Sequence, residues 1–420
     1  MTARGFEPTR ERPQGRAAPS PPPEGGEKTW GGPASSREAL AAALRAVRPD
    51  AYAATRNRLD GAVTGLSPYI THGMLDAAWL LRWLRRRHRL PCGHKLVQEL
   101  GWRAYFRHVR RWQGDAMLES LHAGPLPDAM YARRLPDDLL RGCTGVPVID
   151  QAVRGLYRDG WLHNHARLWL ASYAVHLRKV HWRTGADWMF GHLLDGDLAS
   201  NHLSWQWVAG TASSKPYLFD AANVAHHAPQ SWRSPGSVLD QAREALEALA
   251  RSPIDVGPGH SGAAAVEIPA LLAAPPASLD FASPDPSAVA GRRVWLMHPW
   301  CLRRPPPGRL VVAACAEEFH AAWPWSEARW RFVAAPIGRH ATLRWHAPAA
   351  AIATALRAAA QVETIDDAHL PPAWRAWARP ASSGFAEPDR PCASFSAWWK
   401  LVQRQAGQGA ADGAASRFSP

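Results

Sequence analysis

The stretch Trp161–Gly210, WLHNHARLWLASYAVHLRKVHWRTGADWMFGHLLDGDLASNHLSWQWVAG, combines polar side chains and tryptophans in two segments with helical apolar spacing. An acidic turn, Asp-Gly-Asp at 195–197, separates the two segments. Asp197 can accept hydrogen bonds from the first backbone N–H groups of the second helix, so it is predicted to cap that helix. Asn201 and Trp205 follow four residues apart on one helix face. The stretch therefore predicts two helices joined by a turn that carries polar side chains inward.

On the first of these helices, Asn164 and Arg167 lie among apolar side chains, so both are expected to be buried. A buried guanidinium requires a carboxylate partner, and Asp195 or Asp197 can supply it. Such a cluster is either one ion pair in a well-packed core or part of a binding site. The remaining sequence is needed to decide between these interpretations.

The composition indicates a globular protein. The chain has 420 residues, of which 46% are hydrophobic, enough for about two or three domains. It contains no apolar run of the roughly 20 residues that cross a bilayer, and its N-terminus is charged and proline-rich, unlike a signal peptide. We therefore expect a cytoplasmic location and no membrane partner. The net charge of +13 favours a polyanionic partner, although a GC-rich genome also enriches arginine.

The cysteines and histidines do not indicate a metal site. The five cysteines lie far apart without a Cys-x-x-Cys pair, which is typical of reduced thiols rather than of zinc or iron–sulfur ligands. Several histidines match no standard ligand spacing and are expected to be core or solvated residues: His163, His165, His202, His226 and His227. We expect no bound metal.

Composition and periodicity divide the chain into segments. The predicted organisation is a disordered arm (1–34), a helical domain (35–252), a linker rich in Pro, Ala and Ser (253–291), a small α/β domain (292–380) and a tail (381–420). The fold class is therefore mainly α, followed by a small α/β unit. Ser36 is expected to cap the first helix, Ser67 to cap a helix with Pro68 at its first position, and Gly160 to end a helix.

In the α/β domain, strands are predicted in RRVWLMHPWCL, RLVVAACAEEF and VETIDDAHLP, and helices in SEARWRFVAAPI and PAAAIATALRAAAQ. In the helical domain, the segment HKLVQELGWRAYFRHVRRW (94–112) places Glu99, Trp102, Arg103 and Phe106 on one face. An acid, an arginine and two aromatic rings together suit neither a core nor solvent. The face is either a structural ion pair covered by aromatic rings or part of a ligand site.

Several motifs follow in order between residues 45 and 235: Tyr52, TGLSPY (64–69), ELGWR (99–103), TGVP (144–147), GWLHNxxR (160–167), DGDLASN (195–201) and WQW (205–207). In this combination they resemble the FAD-binding helical domain of the DNA photolyase and cryptochrome family. The antenna domain that usually precedes it is not recognised, so the chain resembles a short form and no antenna chromophore is expected. The α/β unit at 292–370 is weakly similar to a reduced or permuted antenna domain.

The resemblance implies FAD as the cofactor. It also implies a light-driven reaction in which reduced FAD passes an electron to a cyclobutane pyrimidine dimer in UV-damaged DNA, single- or double-stranded. Asn201 is expected beside flavin N5, and Arg167 is expected to pair with Asp195. The implied cofactor-binding residues are Tyr52, Thr64, Gly65, Leu66, Ser67, Arg103, Asn164, Arg167, Asp195, Gly196, Asp197 and Asn201.

The same resemblance implies residues that meet the lesion, namely Glu99, Trp102, Arg103, Asn164 and Trp207. The acid would form a hydrogen bond, and the tryptophans would stack on bases, which contributes about 1–3 kcal/mol per base. For an electron relay, Trp205 and Trp182 match the inner and middle positions, no tryptophan matches the outer one, and Tyr131 is its candidate replacement. The candidate catalytic residues are Glu99, Trp102, Asn201, Trp205, Trp182 and Tyr131.

Two other functions stay open. A cryptochrome-like blue-light photoreceptor would signal through a protein partner, and the extra α/β unit and the altered relay favour it. A helical DNA-binding protein that does not bind FAD is the other alternative. The residue at Asn164 is not the histidine of (6-4) photolyases, which favours a cyclobutane dimer as the lesion.

Overall fold

The computed structural model of the protein describes residues 33–260 and 262–415. The arm predicted at 1–34 lies almost entirely outside this range, so its disorder stays a prediction. The described residues belong to one contact unit, in which helical and α/β segments pack on each other.

The fold is mainly α, as predicted, with one small parallel sheet near the C-terminal end. The helices are α1 (Arg37–Ala46), α2 (Pro49–Thr55), α3 (Ser67–Thr71), α4 (Ala77–Arg87), α5 (Lys95–Gln113), α6 (Asp137–Leu140), α7 (Pro147–Asp159), α8 (Asn164–Ser172), α9 (Trp182–His192), α10 (Leu198–Ala209), α11 (Ala221–His227), α12 (Arg243–Arg251), α13 (Glu317–Ala322), α14 (Glu327–His340), α15 (Ala349–Leu356) and α16 (Phe395–Ala415). The strands are β1 (Leu271–Leu272), β2 (Arg293–Met297), β3 (Leu310–Ala316), β4 (Trp325–Ser326), β5 (Leu343–Ala347), β6 (Gln361–Ile365) and β7 (Ala378–Arg379).

Local signals place the helix ends. The Ser36 hydroxyl accepts a hydrogen bond from Ala39 N at 3.0 Å and caps α1, and Gly160 ends α7 in the left-handed region at φ 60°, both as predicted. The capping role predicted for Ser67 is wrong, because Ser67 is the first residue of α3 and Leu66 precedes it without a side-chain cap. Thr64 Oγ1 accepts a hydrogen bond from Leu66 N at 3.3 Å in the preceding turn, and α3 begins one residue earlier than predicted.

The helices α7 to α10 surround a core of large apolar side chains. Trp169, Tyr173 and Trp205 are each at most 2% exposed and belong to one cluster. Gly185 of α9 allows α10 to come close, because a Cβ there would lie 2.3 Å from Cζ3 of Trp205. One π-helical turn, Tyr173–Leu177, continues α8. This packing fixes the direction in which α8 and α10 present their polar residues.

The α/β unit is built on a five-stranded sheet with the order β5-β3-β2-β6-β7, in which neighbouring strands are parallel. The chain begins the sheet at β2 in the middle, builds outward to β3 and β5, and then crosses back to β6 and β7. This reversal is the doubly wound arrangement of nucleotide-binding α/β folds. The strands predicted in the segments 292–302, 309–319 and 362–371 are confirmed as β2, β3 and β6, although each strand is shorter than its segment. The edge strand β5 was not predicted, because its sequence LRWHA alternates polar and apolar residues over only five positions.

The sheet packs directly on the helical part. Phe190, Leu198 and Leu203 share an apolar cluster with Trp295, Trp300, Trp325 and Trp330 of the α/β unit. The buried His72 ring also joins the two parts, with Nδ1 2.6 Å from Pro299 O and Nε2 2.9 Å from Leu194 O. Leu194 immediately precedes the acidic turn at 195–197. The α/β unit therefore supports the region in which the sequence placed its polar site.

The C-terminal segment was predicted as a tail without a clear pattern beyond FSAWWKLV. It instead forms helix α16 from Phe395 to Ala415. Its later part, QAGQGAADGAA, contains three glycines, which are weak helix formers and hide the helical periodicity. Among the described residues, no helix is long and apolar enough to cross a membrane.

Candidate functional site

A cavity of about 320 Å³ opens between α2, the turn before α3, α5, α8 and α10. This volume lies at the lower end of the range usual for small-molecule sites. Its wall includes most of the site residues predicted from sequence: Tyr52, Thr64, Gly65, Ser67, Glu99, Trp102, Arg103, Asn164, Arg167, Asp195, Asp197, Asn201 and Trp205. Residues that are distant in sequence thus meet at one site, with the acidic turn at its floor.

Asp195 is the carboxylate that pairs with Arg167. Its Oδ2 lies 2.8 Å from Arg167 Nη2, and Arg167 Nε also donates to Leu162 O at 2.9 Å. Burial would raise the pKa of Asp195, but the guanidinium of Arg167, with smaller contributions from the Ser67 hydroxyl and Arg103, outweighs burial and lowers it. The other oxygen, Oδ1, is buried, and no described donor reaches it with the geometry of a full hydrogen bond, although the Ser67 hydroxyl lies near this carboxylate. One acceptor on the cavity wall is therefore left for a ligand.

Asp197 differs from Asp195, because both of its oxygens are fully used. Oδ1 accepts from Ser200 N at 2.9 Å and from Ser200 Oγ at 2.8 Å, so Asp197 caps α10 as predicted. Oδ2 accepts from Arg107 Nη2 at 2.9 Å and from Arg103 Nη2 at 3.3 Å. Burial opposes the charged form, but these two arginines hold the pKa of Asp197 well below its usual range. Asp197 thus stays ionised and joins α5 to the start of α10.

A hydrogen-bonded ring behind the turn extends this network into the α/β unit. Arg107 Nη2 also lies 3.0 Å from Asp367 Oδ2, and Asp367 Oδ1 accepts from His369 Nδ1 at 2.6 Å. Leu198 N donates to His369 Nε2 at 3.1 Å, which closes the ring beside Asp197. Because Nε2 accepts and Nδ1 donates, this histidine is neutral, and burial lowers its pKa to about 4.

A second support comes from Arg329 of α14, whose side chain is fully buried. Its Nη2 donates to Gly196 O at 2.6 Å and its Nη1 to Phe190 O at 2.9 Å. The guanidinium lies 4.0 Å from the ring centroid of Trp325, and burial lowers the pKa of Arg329 to about 9, so it remains charged at neutral pH. A side chain at Gly196 would collide with Arg329, since a Cβ would lie 2.5 Å from Nη1.

The α5 wall carries the mixed face predicted from sequence. Glu99 lies 3.8 Å from Arg56 Nε, an arginine of the cavity wall that sequence reasoning missed. Desolvation raises the pKa of Glu99, although Arg56 partly opposes it. Trp102 and Phe106 are neighbours, with ring centroids 5.5 Å apart. An acid with a raised pKa and an aromatic ring at one cavity wall can bind a planar, hydrogen-bonding ligand.

Several predicted residues lie outside the cavity wall. Leu66 is in the core, Gly196 faces Arg329, and Trp207 is 39% exposed, with its ring 5.6 Å from that of Tyr217. Asn164, predicted to be buried, is instead exposed, because it is the first residue of α8 at the cavity wall. Trp182 and Tyr131 are buried, and each ring contacts that of His181, at 5.6 and 6.3 Å.

Sequence reasoning missed the residues behind the turn. Arg107 is one helical turn after Arg103, and this spacing was the available signal for it. The local sequence around Arg329, Asp367 and His369 gives no indication that they reach a site more than 130 residues earlier in the chain. Within the described part of the chain, no three His, Cys, Asp or Glu side chains group as metal ligands, and the five cysteines are unpaired.

Residues 96–231 match a family model described as the FAD binding domain of DNA photolyase. Over 168 residues the chain is 34% identical to a deoxyribodipyrimidine photo-lyase of Streptomyces griseus, a match that covers 36% of this chain and 33% of that protein. This region of the chain belongs to the photolyase/cryptochrome family. A photo-lyase of Thermus thermophilus is 33% identical over 226 residues, which cover 49% of this chain and 53% of that one. The chain thus spans about a third to a half of these curated family members.

Among solved structures, a cryptochrome from Synechocystis sp. PCC6803 is 24% identical, with a TM-score of 0.41 over 45% of this chain and 42% of that chain. FAD is the cofactor that the matched photolyase domain indicates. The cavity suits such a ligand, because it offers the free Asp195 Oδ1, the exposed amide of Asn164 and the Thr64 and Ser67 region within one wall. Hydroxyl, amide and carboxylate groups are the partners that a dinucleotide cofactor requires.

Proposed function

We propose that this photolyase/cryptochrome family member is a FAD-dependent, light-driven DNA photolyase of the cytoplasm that splits cyclobutane pyrimidine dimers. The observation that carries the proposal is the composition of the cavity wall. It combines the acidic turn and the polar residues of α8 and α10 with Glu99, Trp102 and Arg103 of α5. A cofactor and a flipped-out dimer can bind there face to face, since extruded bases require an aromatic and hydrogen-bonding pocket.

On the cofactor side, the turn at Thr64, Gly65 and Ser67 would hold the diphosphate and ribityl chain together with Tyr52. Gly65 has a φ of 63°, which a side chain disfavours, so its backbone can approach a phosphate closely. Asn164, Arg167, Asp195 and Asn201 would hold the flavin and the adenine-side ribose. Asn201 Nδ2 donates to Ala186 O at 2.8 Å, which fixes the amide on the cavity wall. When bound and reduced, FAD would supply the light-excited electron.

On the DNA side, Glu99 would hydrogen-bond to the lesion and Trp102 would stack on it. Arg103 is a candidate for binding both the cofactor and the lesion. Its guanidinium pairs with Asp197, which keeps it at the cavity wall. The exposed Trp207 would contact DNA outside the cavity. The positive net charge of the chain supports DNA as the partner, since phosphate contacts supply most of the non-specific affinity.

For the supply of electrons to the site, Trp205 and Trp182 are the proposed inner and middle relay residues. Trp205 lies against Gly185, one helical turn from Trp182, so both indoles are at the contact of α9 and α10. Tyr131 is the proposed outer residue, and the ring of His181 contacts both Trp182 and Tyr131.

The test is irradiation of a dimer-containing oligo(dT) with blue light in the presence of reduced, FAD-loaded protein. We expect loss of dimers in the light and none in the dark, and Trp102→Ala should weaken binding to the dimer by about 1–3 kcal/mol. Dimers that persist on both single- and double-stranded substrates would exclude the photolyase. A light-dependent change of oligomeric state or partner binding without repair would instead identify a photoreceptor.

A further inference from the structure

The segment 385–399 at the end of the chain packs on the side of α5 that faces away from the cavity. Gly101, Tyr105 and His108 form one stripe of α5 at this contact. Gly101 is required there, because a Cβ would lie 2.5 Å from Cζ3 of Trp399. Tyr105 packs against Trp398, with ring centroids 6.2 Å apart. The start of α16 therefore lies flat on α5.

Hydrogen bonds fix this contact. The buried His108 ring accepts from Cys392 N at its Nε2, at 3.2 Å, and donates from its Nδ1 to Glu387 Oε1, at 2.7 Å. These two hydrogen bonds to one ring fix the position of the segment that leads into α16 relative to α5. Such a contact places a side chain of α16 on α5 with little freedom.

Phe395, the first residue of α16, lies against Trp102 as a result of this contact between α16 and α5. The two rings are stacked with centroids 4.0 Å apart and an interplanar angle of 10°. Trp102 belongs to the cavity wall, whereas Phe395 does not, so the part of the indole that borders the cavity lies outside the face that Phe395 covers. The other rings that contact Trp102 are tilted or perpendicular, namely Phe106 at 40° and Tyr105 at 78°.

We propose that Phe395 is a positioning residue, which holds the Trp102 indole in the orientation that lets its opposite face stack on a base of the lesion. The inference rests on the proposed function, because that function gives Trp102 its role. An indole already stacked on one side loses little further freedom when a base binds on the other, so the C-terminal helix prepares the site for damaged DNA. Trp398 and Trp399 supply the buried packing of α16, whereas Phe395 is only half-buried.

The test measures dark binding of the full-length, FAD-loaded protein to an oligonucleotide with one thymine dimer and to the same oligonucleotide without it. We expect Phe395→Ala to raise the Kd for the dimer about three- to tenfold, as loss of one aromatic pair predicts, with the Kd for undamaged DNA unchanged. Phe395→Tyr, which keeps the stacked ring, should restore the wild-type Kd. The exposed neighbour Ser396→Ala is the matched control and should bind as wild type.

A double-mutant cycle separates positioning from general packing. In a Trp102→Ala background, removal of the Phe395 ring should have no further effect on the dimer. Three outcomes would overturn the inference. The Phe395→Ala change could lower dimer affinity as much in the Trp102→Ala background as in wild type, or lower the affinity for undamaged DNA as much as that for the dimer. It could also tighten dimer binding. If Phe395→Ala does not fold, Phe395→Leu replaces it, because leucine keeps an apolar side chain without a ring. The expected and the contradicting results are the same as for Phe395→Ala.

The two proposals fail differently. If Trp102→Ala alone binds the dimer as tightly as wild type does, the proposed function of the α5 wall is wrong. If Trp102→Ala loses affinity but Phe395→Ala does not, the function stands and the positioning role of Phe395 is wrong.

Discussion

The two aspartates of the acidic turn are two residues apart, yet they have opposite surroundings. Asp195 uses one oxygen for Arg167 and leaves Oδ1 without a described partner on the cavity wall. Asp197 uses both oxygens, for Ser200 and for the arginines of α5, and its side chain is 1% exposed. A donor group of a ligand can form a hydrogen bond only with an acceptor that is free. Asp195 is therefore suited to ligand binding, and Asp197 to holding the turn in place.

The same difference separates the front of the turn from its back. The front faces a cavity lined by α5, α8 and α10, whereas the back is bound by Arg329, Asp367 and His369 of the α/β unit. The α/β unit thus supports the proposed cofactor site from behind. If this is correct, substitutions at the back should lower the stability of the fold, and substitutions at the front should lower ligand affinity with little loss of stability.

The largest loss of stability is expected for Asp197→Ala. It removes the cap of α10 and the carboxylate that pairs with the guanidinium groups of Arg103 and Arg107. We expect this to cost about 3–5 kcal/mol of unfolding free energy. Urea unfolding of the FAD-free protein, followed by circular dichroism, measures this loss. The control is Asp195→Ala, and a loss as large as that of Asp197→Ala would contradict the distinction between the two aspartates.

The next effect is a pH dependence that comes from His369. Because burial lowers the pKa of this histidine from 6.5 to about 4, the folded state binds fewer protons than the unfolded state between these pH values. Its contribution to stability is complete above pH 6.5 and is lost as the pH falls toward 4, with a slope of up to about 1.4 kcal/mol per pH unit.

His369→Gln removes this titration and should make the decline in unfolding free energy shallower by up to that slope. Urea unfolding at pH 7, 6 and 5 measures it, with the solvent-exposed His122→Gln as the control. If the unfolding free energies of both variants fall with pH as steeply as that of wild type, His369 is not held neutral by the hydrogen-bonded ring behind the turn.

The contrast between front and back also explains what the sequence could and could not predict. The capping of α10 by Asp197 is local, because cap chemistry alone predicts it. The pairing of Arg167 with Asp195 joins residues 28 positions apart, and the residue pattern leaves Asp195 and Asp197 as alternatives until the family resemblance favours Asp195. The contacts of Arg329, Asp367 and His369 depend on how the sheet docks on α9 and α10, which no local pattern encodes. Likewise, Phe395 stood in a segment recognised only as aromatic, and its position on Trp102 depends on the anchor at His108.

At the front, Asp195→Asn should lower the unfolding free energy by only about 1 kcal/mol, because the amide oxygen can still accept from Arg167 and Asp195 caps no helix. The affinity for FAD should fall about ten- to a hundredfold, since a hydrogen bond to a charged acceptor contributes about 1.5–3 kcal/mol. Titration of the FAD-free protein with FAD, followed by flavin fluorescence, measures this. Asp138→Asn is the matched control, because Asp138 also pairs with an arginine, Arg178, but lies outside the cavity wall.

The smallest loss of stability is expected for Glu99→Gln, because the Glu99 side chain is 47% exposed and its contact with Arg56 is 3.8 Å long. Its effect should be on the pH profile of lesion binding. The pKa of Glu99 is raised by desolvation, so its protonated, hydrogen-bond-donating form is lost as the pH rises through that raised value, and dimer affinity should fall about two- to tenfold. Glutamine donates without titrating, so the variant should lose the part of the pH dependence of dimer binding that comes from Glu99. The control is Glu247→Gln, which alters an exposed pair with Arg243 and should keep the wild-type pH profile of dimer binding. If Glu99→Gln also keeps the wild-type profile, Glu99 does not donate to the lesion.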